Sequence, residues 1–239
     1  MTAKHPSTLS SAVQGYYEGL VDRLTTNLLP TLRPFFEHPT TRRVLELSSG
    51  NGTHAALYAK TWPRVLVQPT ECDEWGCAHI DETVRKEGVA VGEGGKEGGG
   101  VEKAVVLDVL EEEGWEALSA QIGVANEEKS GPYDLVIGSN FLHMVSFPDG
   151  PRAIFSHLHS LVSPSAKLLI YGPFKSDEGY FSEADKAFET SIRSRPNGFY
   201  FGLRSIDALG RLAQEKGWVL EERIGMPKGN WVLVFARQQ

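Results

Sequence analysis

Cysteine is nearly absent: Cys72 and Cys77 are the two in 239 residues. A secreted domain stapled by disulfides carries more of them in repeated spacings, so a reducing, cytoplasmic setting is expected. Their C-x4-C spacing has no second pair to complete a zinc site, and no metal is expected. Positive charge is short too, with 24 Lys and Arg against 31 Asp and Glu, a formal net charge of -7. That balance leaves no broad cationic surface to neutralise a phosphate backbone, which argues against nucleic acid as a partner. No run approaches the roughly 20 apolar residues that span a bilayer, and MTAKHPSTLSSAVQG lacks the apolar core of a signal peptide. A soluble protein without a membrane partner is expected. Internal repeats are missing as well, and the length suits one sizeable core with a short accessory segment rather than two full domains.

What is present alternates strand and helix. Residues 9 to 36 carry apolar side chains at helical spacing, interrupted by Pro30 and Pro34. RRVLEL then reads as a strand, THAALYAKTW as a helix, RVLVQPTE as a strand and DEWGCAHIDETVRKEG as a helix. A glycine-rich stretch over 88–100 reads as a flexible surface loop. KAVVLDV, YDLVIGSN and AKLLIYGPF are further strands, separated by the helices EEEGWEALSAQIG and PRAIFSHLHSLV. FSEADKAFETSIRSR and RSIDALGRLAQEKG are helical. WVLEERIG and NWVLVFARQ, joined by the turn-prone MPKGN, close the chain with a hairpin instead of another crossover. The pattern predicts an α/β fold: a Rossmann-like, seven-stranded, mostly parallel sheet with an antiparallel last strand and helices on both faces. Residues 1–38 form an N-terminal helical segment and 39–239 the main domain.

In an open parallel sheet ligands sit at the carboxyl ends of the strands, beside the first one. The turn there, SSGNGTHA, offers Gly50 and Gly52, which tolerate positive φ, and the backbone amides of the helix opening at Thr53 and His54. GNGTHA alone also satisfies the dinucleotide fingerprint G-x-G-x-x-A, with Glu71 about 20 residues on as a ribose ligand. Glu46 separates the readings. A carboxylate at the end of the first strand repels a pyrophosphate but suits a ligand carrying an ammonium and a sulfonium.

With ELSSGNG in hand, the chain resembles the class I S-adenosylmethionine-dependent methyltransferases, whose first motif is E/D-x-G-x-G-x-G; Ser48 stands at the first glycine. The resemblance implies S-adenosylmethionine as cofactor. It implies contact with Glu46, Ser48, Gly50, Gly52, Thr53 and His54, ribose hydroxyls on Glu71 beside Cys72, and the adenine amino group on Asp108 with Val109 and Leu110 nearby. SNFLHM, with Asn140, matches the segment flanking the transferred methyl. VLELSSGNGTHA, VQPTECD, SNFLHM, LLIYGPF, SEADKAFETSIRSR and MPKGNWVLVFAR further resemble the methyltransferase-like 26 family of methyltransferases, over about residues 42 to 237.

Methyl transfer needs an in-line nucleophile, and a base helps when the acceptor is a hydroxyl or protonated amine. His143, after the fourth strand, is the first candidate base, and Tyr171 at the end of the fifth a positioning group. Tyr16, Tyr17, Phe141, Phe174 and Phe201 are expected to line the acceptor pocket. The N-terminal helices and the aromatic-rich stretch 174–203 would act as an apolar lid. His157 and His159, two apart on a helix, face different ways and make no metal site. The function expected is methylation of a small-molecule acceptor at oxygen, nitrogen or sulfur. A non-catalytic cofactor-binding partner protein and an enzyme that uses the sulfonium electrostatically for a cyclisation or rearrangement are the alternatives.

Overall fold

A computed structural model describes residues 24–92, 98–121, 132–196 and 198–238. The chain divides into two units, residues 1–34 and 35–239. A single turn of wide helix (Leu24–Leu28) in the first unit runs directly into α1 (Leu29–Phe36), which contains Pro34 and ends in the second unit. Tyr16 and Tyr17 lie outside the described residues.

The second unit is built on β1 (Arg43–Leu47), whose run RVLEL is buried from Val44 onward, as a strand covered on both faces must be. Parallel neighbours flank it on both sides: β2 (Leu66–Glu71) on one and β5 (Tyr133–Ser139) on the other. Beyond β2 come two short strands in succession, β3 (Gly100–Val101) and β4 (Val105–Val106). Beyond β5 come β6 (Val162–Lys175), then β9 (Asn230–Arg237), then β8 (Trp218–Gly225); β7 (Arg204–Ser205) pairs with the end of β6. The order β3-β2-β1-β5-β6-β9-β8 is parallel except for β9, which runs antiparallel between β6 and β8. The predicted architecture is therefore present, with its terminal hairpin.

Helices α2 (Thr53–Thr61), α3 (Glu74–Lys86), α4 (Glu112–Gln121), α5 (Asp149–Leu161), α6 (Glu183–Arg193) and α7 (Ile206–Glu215) connect the strands. Asp73, Ser182 and Ser205 cap α3, α6 and α7 through their side-chain oxygens. A core that includes Leu45, Leu47, Val136, Leu168, Phe155, Trp218 and Phe235 fills the space between sheet and helices.

Two details differ from expectation. KAVVLDV shrinks to the two residues of β4, because Gln68 Nε2 and Asp81 Oδ1 bond the backbone of Lys103 and Ala104 between β3 and β4. Of the stretch 88–100, residues 93–97 lie outside the described residues; at its ends Gly92 donates to Val101, Gly100 donates to Val65, and Gly100 opens β3. A methyl group on Gly99 would lie 2.3 Å from the Pro63 carbonyl oxygen, so at that point glycine is a packing requirement.

Candidate functional site

The strand order reverses between β1 and β5, which opens a crevice at the carboxyl ends of these strands. The turn that leaves β1 uses three left-handed residues: Ser48 (φ 54°), Gly50 (φ 61°) and Gly52 (φ 82°). Ser48 holds a conformation in which a side chain is strained, at the position where the resembled motif has glycine. At Gly52 a methyl group would lie 3.0 Å from the backbone of Ile80, so this glycine lets the turn pack closely against α3. At Gly50 it would meet nothing within 4 Å, so the chain here faces open space. Ser49 N–H donating to the Thr70 carbonyl (2.8 Å) and Thr70 Oγ1 donating to the Glu46 carbonyl (2.9 Å) tie the turn to β2.

Behind the turn lies Glu46, 1% exposed. Its Oε1 is 3.7 Å from His54 Nδ1, on the first turn of α2, and its Oε2 has no hydrogen-bond partner. Burial pushes the Glu46 carboxyl up to about 8, a Ser49 hydrogen bond opposes this, and the charge of Glu71 adds to it. Burial also pushes the His54 imidazole down to about 4. Both groups are neutral near pH 7, so despite their separation they form no ion pair. The weak basicity of His54 comes from its desolvation. Tyr58 Oη lies 3.5 Å from His54 Nδ1 and completes a buried, uncharged trio. A buried acid oxygen without a partner is costly, and a cationic group reaching it would both satisfy and ionise it.

Glu71, closing β2, is held by main-chain donors. Its Oε1 accepts from Cys72 N–H (2.9 Å), and its Oε2 from Gly50 N–H (2.9 Å) and more distantly from Ser48 Oγ (3.5 Å). Each oxygen keeps acceptor capacity, the arrangement a vicinal diol requires. Asp108, after β4, accepts from Leu110 N–H (3.0 Å) through Oδ1; Val109 is buried and Leu110 exposed. The Thr53 amide, expected to face a cofactor, already donates to Asn51 Oδ1 (3.2 Å), a helix-opening contact that takes it out of the ligand donor set.

On the β5 side, Asn140 (φ 55°) donates its N–H to the carbonyl of Tyr171 (2.8 Å), joining two predicted positions across neighbouring strands. His143 follows on a turn of 3-10 helix (Leu142–Met144), 7% exposed and edge-on to the Phe188 ring (5.3 Å). Burial, with the charges of Arg204 and Arg195, lowers its pKa to about 4, which makes it a weak base. Phe141 and Phe174 were expected on a pocket wall but lie in the core. The ring of Phe141 fills the place where a Gly138 side chain would be, and Phe174 is 2% exposed. Phe201 is half-buried, and its neighbours Phe199 and Tyr200 are exposed with rings 3.8 Å apart.

Arg204 is the residue here that sequence reasoning missed. Buried, it donates through Nε to Leu142 O (3.3 Å) and through Nη2 to Val145 O (2.5 Å) and Tyr200 O (2.8 Å), with its guanidinium over Phe147 (5.5 Å). The Gly202 amide adds a bond to His143 O (2.9 Å), and the Leu203 amide one to buried Glu189 (3.1 Å). Among the described residues no three His, Cys, Asp or Glu converge as a metal ion would need, and no helix is long and apolar enough to cross a membrane. His157 stacks on Trp115, while His159 packs near Trp218.

This strand order with a glycine turn at its reversal is the fold of class I S-adenosylmethionine-dependent methyltransferases, and solved structures agree. The apo methyltransferase SibL superposes at a TM-score of 0.69 with 14% identity, over 97% of this chain and 60% of its own. An O-methyltransferase family protein from Burkholderia thailandensis gives 0.68 and 17%, over 96% and 61%. CalO1, a methyltransferase of calicheamicin biosynthesis in its SAH-bound form, gives 0.62 and 15%, over 95% and 58%. The chain thus spans about three fifths of each of these proteins. At such identities the likeness establishes the fold. By sequence, the chain belongs to the family described as "Protein of unknown function (DUF938)", whose model matches residues 21–237.

Proposed function

We propose that the protein binds S-adenosylmethionine at the carboxyl ends of β1 and β2 and transfers its methyl group to a small-molecule acceptor. The observation that carries this reading is the buried, unpartnered oxygen of Glu46 behind a glycine turn whose Gly50 faces open space. A pyrophosphate would meet that acid, and Glu71 close to it, with repulsion as either ionised; an ammonium beside a sulfonium would be attracted. Glu71, with one oxygen bonded to each of two backbone amides, suits the ribose diol, and Asp108 the adenine amino group.

The cofactor supplies a methyl group already activated on a sulfonium sulfur. The chain's own residues then have to bind it, aim it and admit the nucleophile. Asn140, His143 and Tyr171 border the place where the acceptor would stand. His143 serves there as a neutral hydrogen-bonding group, since its low basicity makes it poor at removing a proton from an alcohol. Phe201, with the exposed Phe199 and Tyr200, would contact the acceptor's apolar part, and kinship with the methyltransferase-like 26 family, carried by VQPTE and YGPF, belongs to the same reading.

Titration calorimetry with S-adenosylmethionine, S-adenosylhomocysteine and NAD in parallel tests it. The first two are expected to bind and NAD is not; tighter binding of NAD would overturn the proposal. Incubation with an acceptor panel then separates turnover, in which S-adenosylhomocysteine accumulates, from binding alone.

A further inference from the structure

Glycine is among the poorest helix formers, yet Gly76 lies in the first turn of α3, a thirteen-residue helix in which the Asp73 cap already fixes the start. Its surroundings explain it. A methyl group at this position would lie 2.4 Å from Cγ and 3.2 Å from Cβ of Glu71, and 3.3 Å from Asp73 Oδ1. Neither partner can easily give way. The Gly76 amide donates to Asp73 Oδ1 at 2.7 Å, which anchors the helix, and the Glu71 carboxylate is anchored at its far end by the amides of Gly50 and Cys72. The stem of Glu71 is therefore clamped between its own hydrogen bonds and the backbone of α3. Any side chain at 76 has to push the stem away from the position those bonds hold.

We infer that Gly76 is a positioning residue for the cofactor: it reserves the space that lets Glu71 bridge the glycine turn and present both oxygens to the ribose diol. This rests on the reading of the site given above and extends it to a residue outside the glycine motif. Because Gly76 acts through the Glu71 stem, most of its effect must be lost when Cγ is absent.

A double-mutant cycle reads this directly. Affinity for S-adenosylhomocysteine is measured by calorimetry for wild type, Gly76→Ala, Glu71→Ala and the double variant. Gly76→Ala is expected to weaken binding about tenfold when Glu71 is present and less than twofold in Glu71→Ala, where the 2.4 Å contact with Cγ is gone and only the 3.2 Å contact with Cβ remains. Wild-type affinity in Gly76→Ala, or the same fold-loss in both backgrounds, overturns the inference while leaving the cofactor reading intact. Absence of binding by the wild-type chain overturns both. Should Gly76→Ala fail to fold, folding of the double variant supports the collision with Glu71 and its failure refutes it.

Discussion

Glu46 and His54 make one proton count for two groups. In the unfolded chain they titrate near their ordinary values of 4.5 and 6.5, whereas in the folded protein burial moves them to about 8 and about 4. Between pH 4.5 and 6.5 both states hold one proton, on His54 when unfolded and on Glu46 when folded, so this pair leaves stability level. Above pH 6.5 the unfolded chain has lost that proton and the folded chain keeps it until about 8, so stability falls as pH rises, by about 2 kcal/mol across the window. Below 4.5 the unfolded chain takes a second proton that the folded one refuses until about 4, and stability falls again. Urea unfolding from pH 5.5 to 8.5 is expected to show the upper decline in wild type and not in Glu46→Gln. The same carboxyl must ionise to meet a cationic ligand, so S-adenosylmethionine binding at pH 7 should release about one proton. Calorimetry in buffers of different ionisation enthalpy measures that release. Ser48 makes a simpler case: Ser48→Gly removes left-handed strain and should stabilise the fold by about 1 kcal/mol in chemical denaturation.

Among the elements, the turn bearing His143 is held from outside its own strand. Arg204→Met would take the guanidinium donors from three carbonyl oxygens, of which the Leu142 one is buried and the Val145 and Tyr200 ones partly so, a loss of about 2 kcal/mol in denaturant unfolding. Amide exchange over residues 141–146 should rise with it, and unchanged exchange there would show that the strap is not what orders the turn. Here lies the boundary of what the sequence discloses. Glu46, Gly50, Gly52 and Glu71 are readable because Glu46 and Glu71 lie at the ends of strands whose apolar runs are plain and the two glycines follow in the turn after the first. The terminal hairpin is equally plain, from two strand-like runs around MPKGN. Arg204, Glu189 and Gly76 are silent in sequence because their roles depend on partners brought near only by folding: an arginine in GLRSID looks like any surface cation until the Leu142 and Val145 carbonyls reach it. Gly99 escaped notice differently, hidden in a glycine-rich tract that resembles a linker, although its contact with the Pro63 carbonyl allows no side chain. Phe141 and Phe174 were misplaced because aromatics beside a site and aromatics beneath it have the same composition.

For the whole molecule, the placement of β9 sets an order of events. Asn230–Arg237, which follows β1 to β8 in the chain, does not join an edge but lies between β6 and β8, bonded to both. During synthesis every strand from β1 to β8 has emerged before this gap can be filled. Until then β6 and β8 each present an unpaired edge with apolar side chains beside it, the kind of surface that recruits other chains. A nascent chain stalled before residue 230 should therefore stay protease-sensitive and bind chaperones, and emergence of Asn230–Arg237 should convert it within one cooperative step.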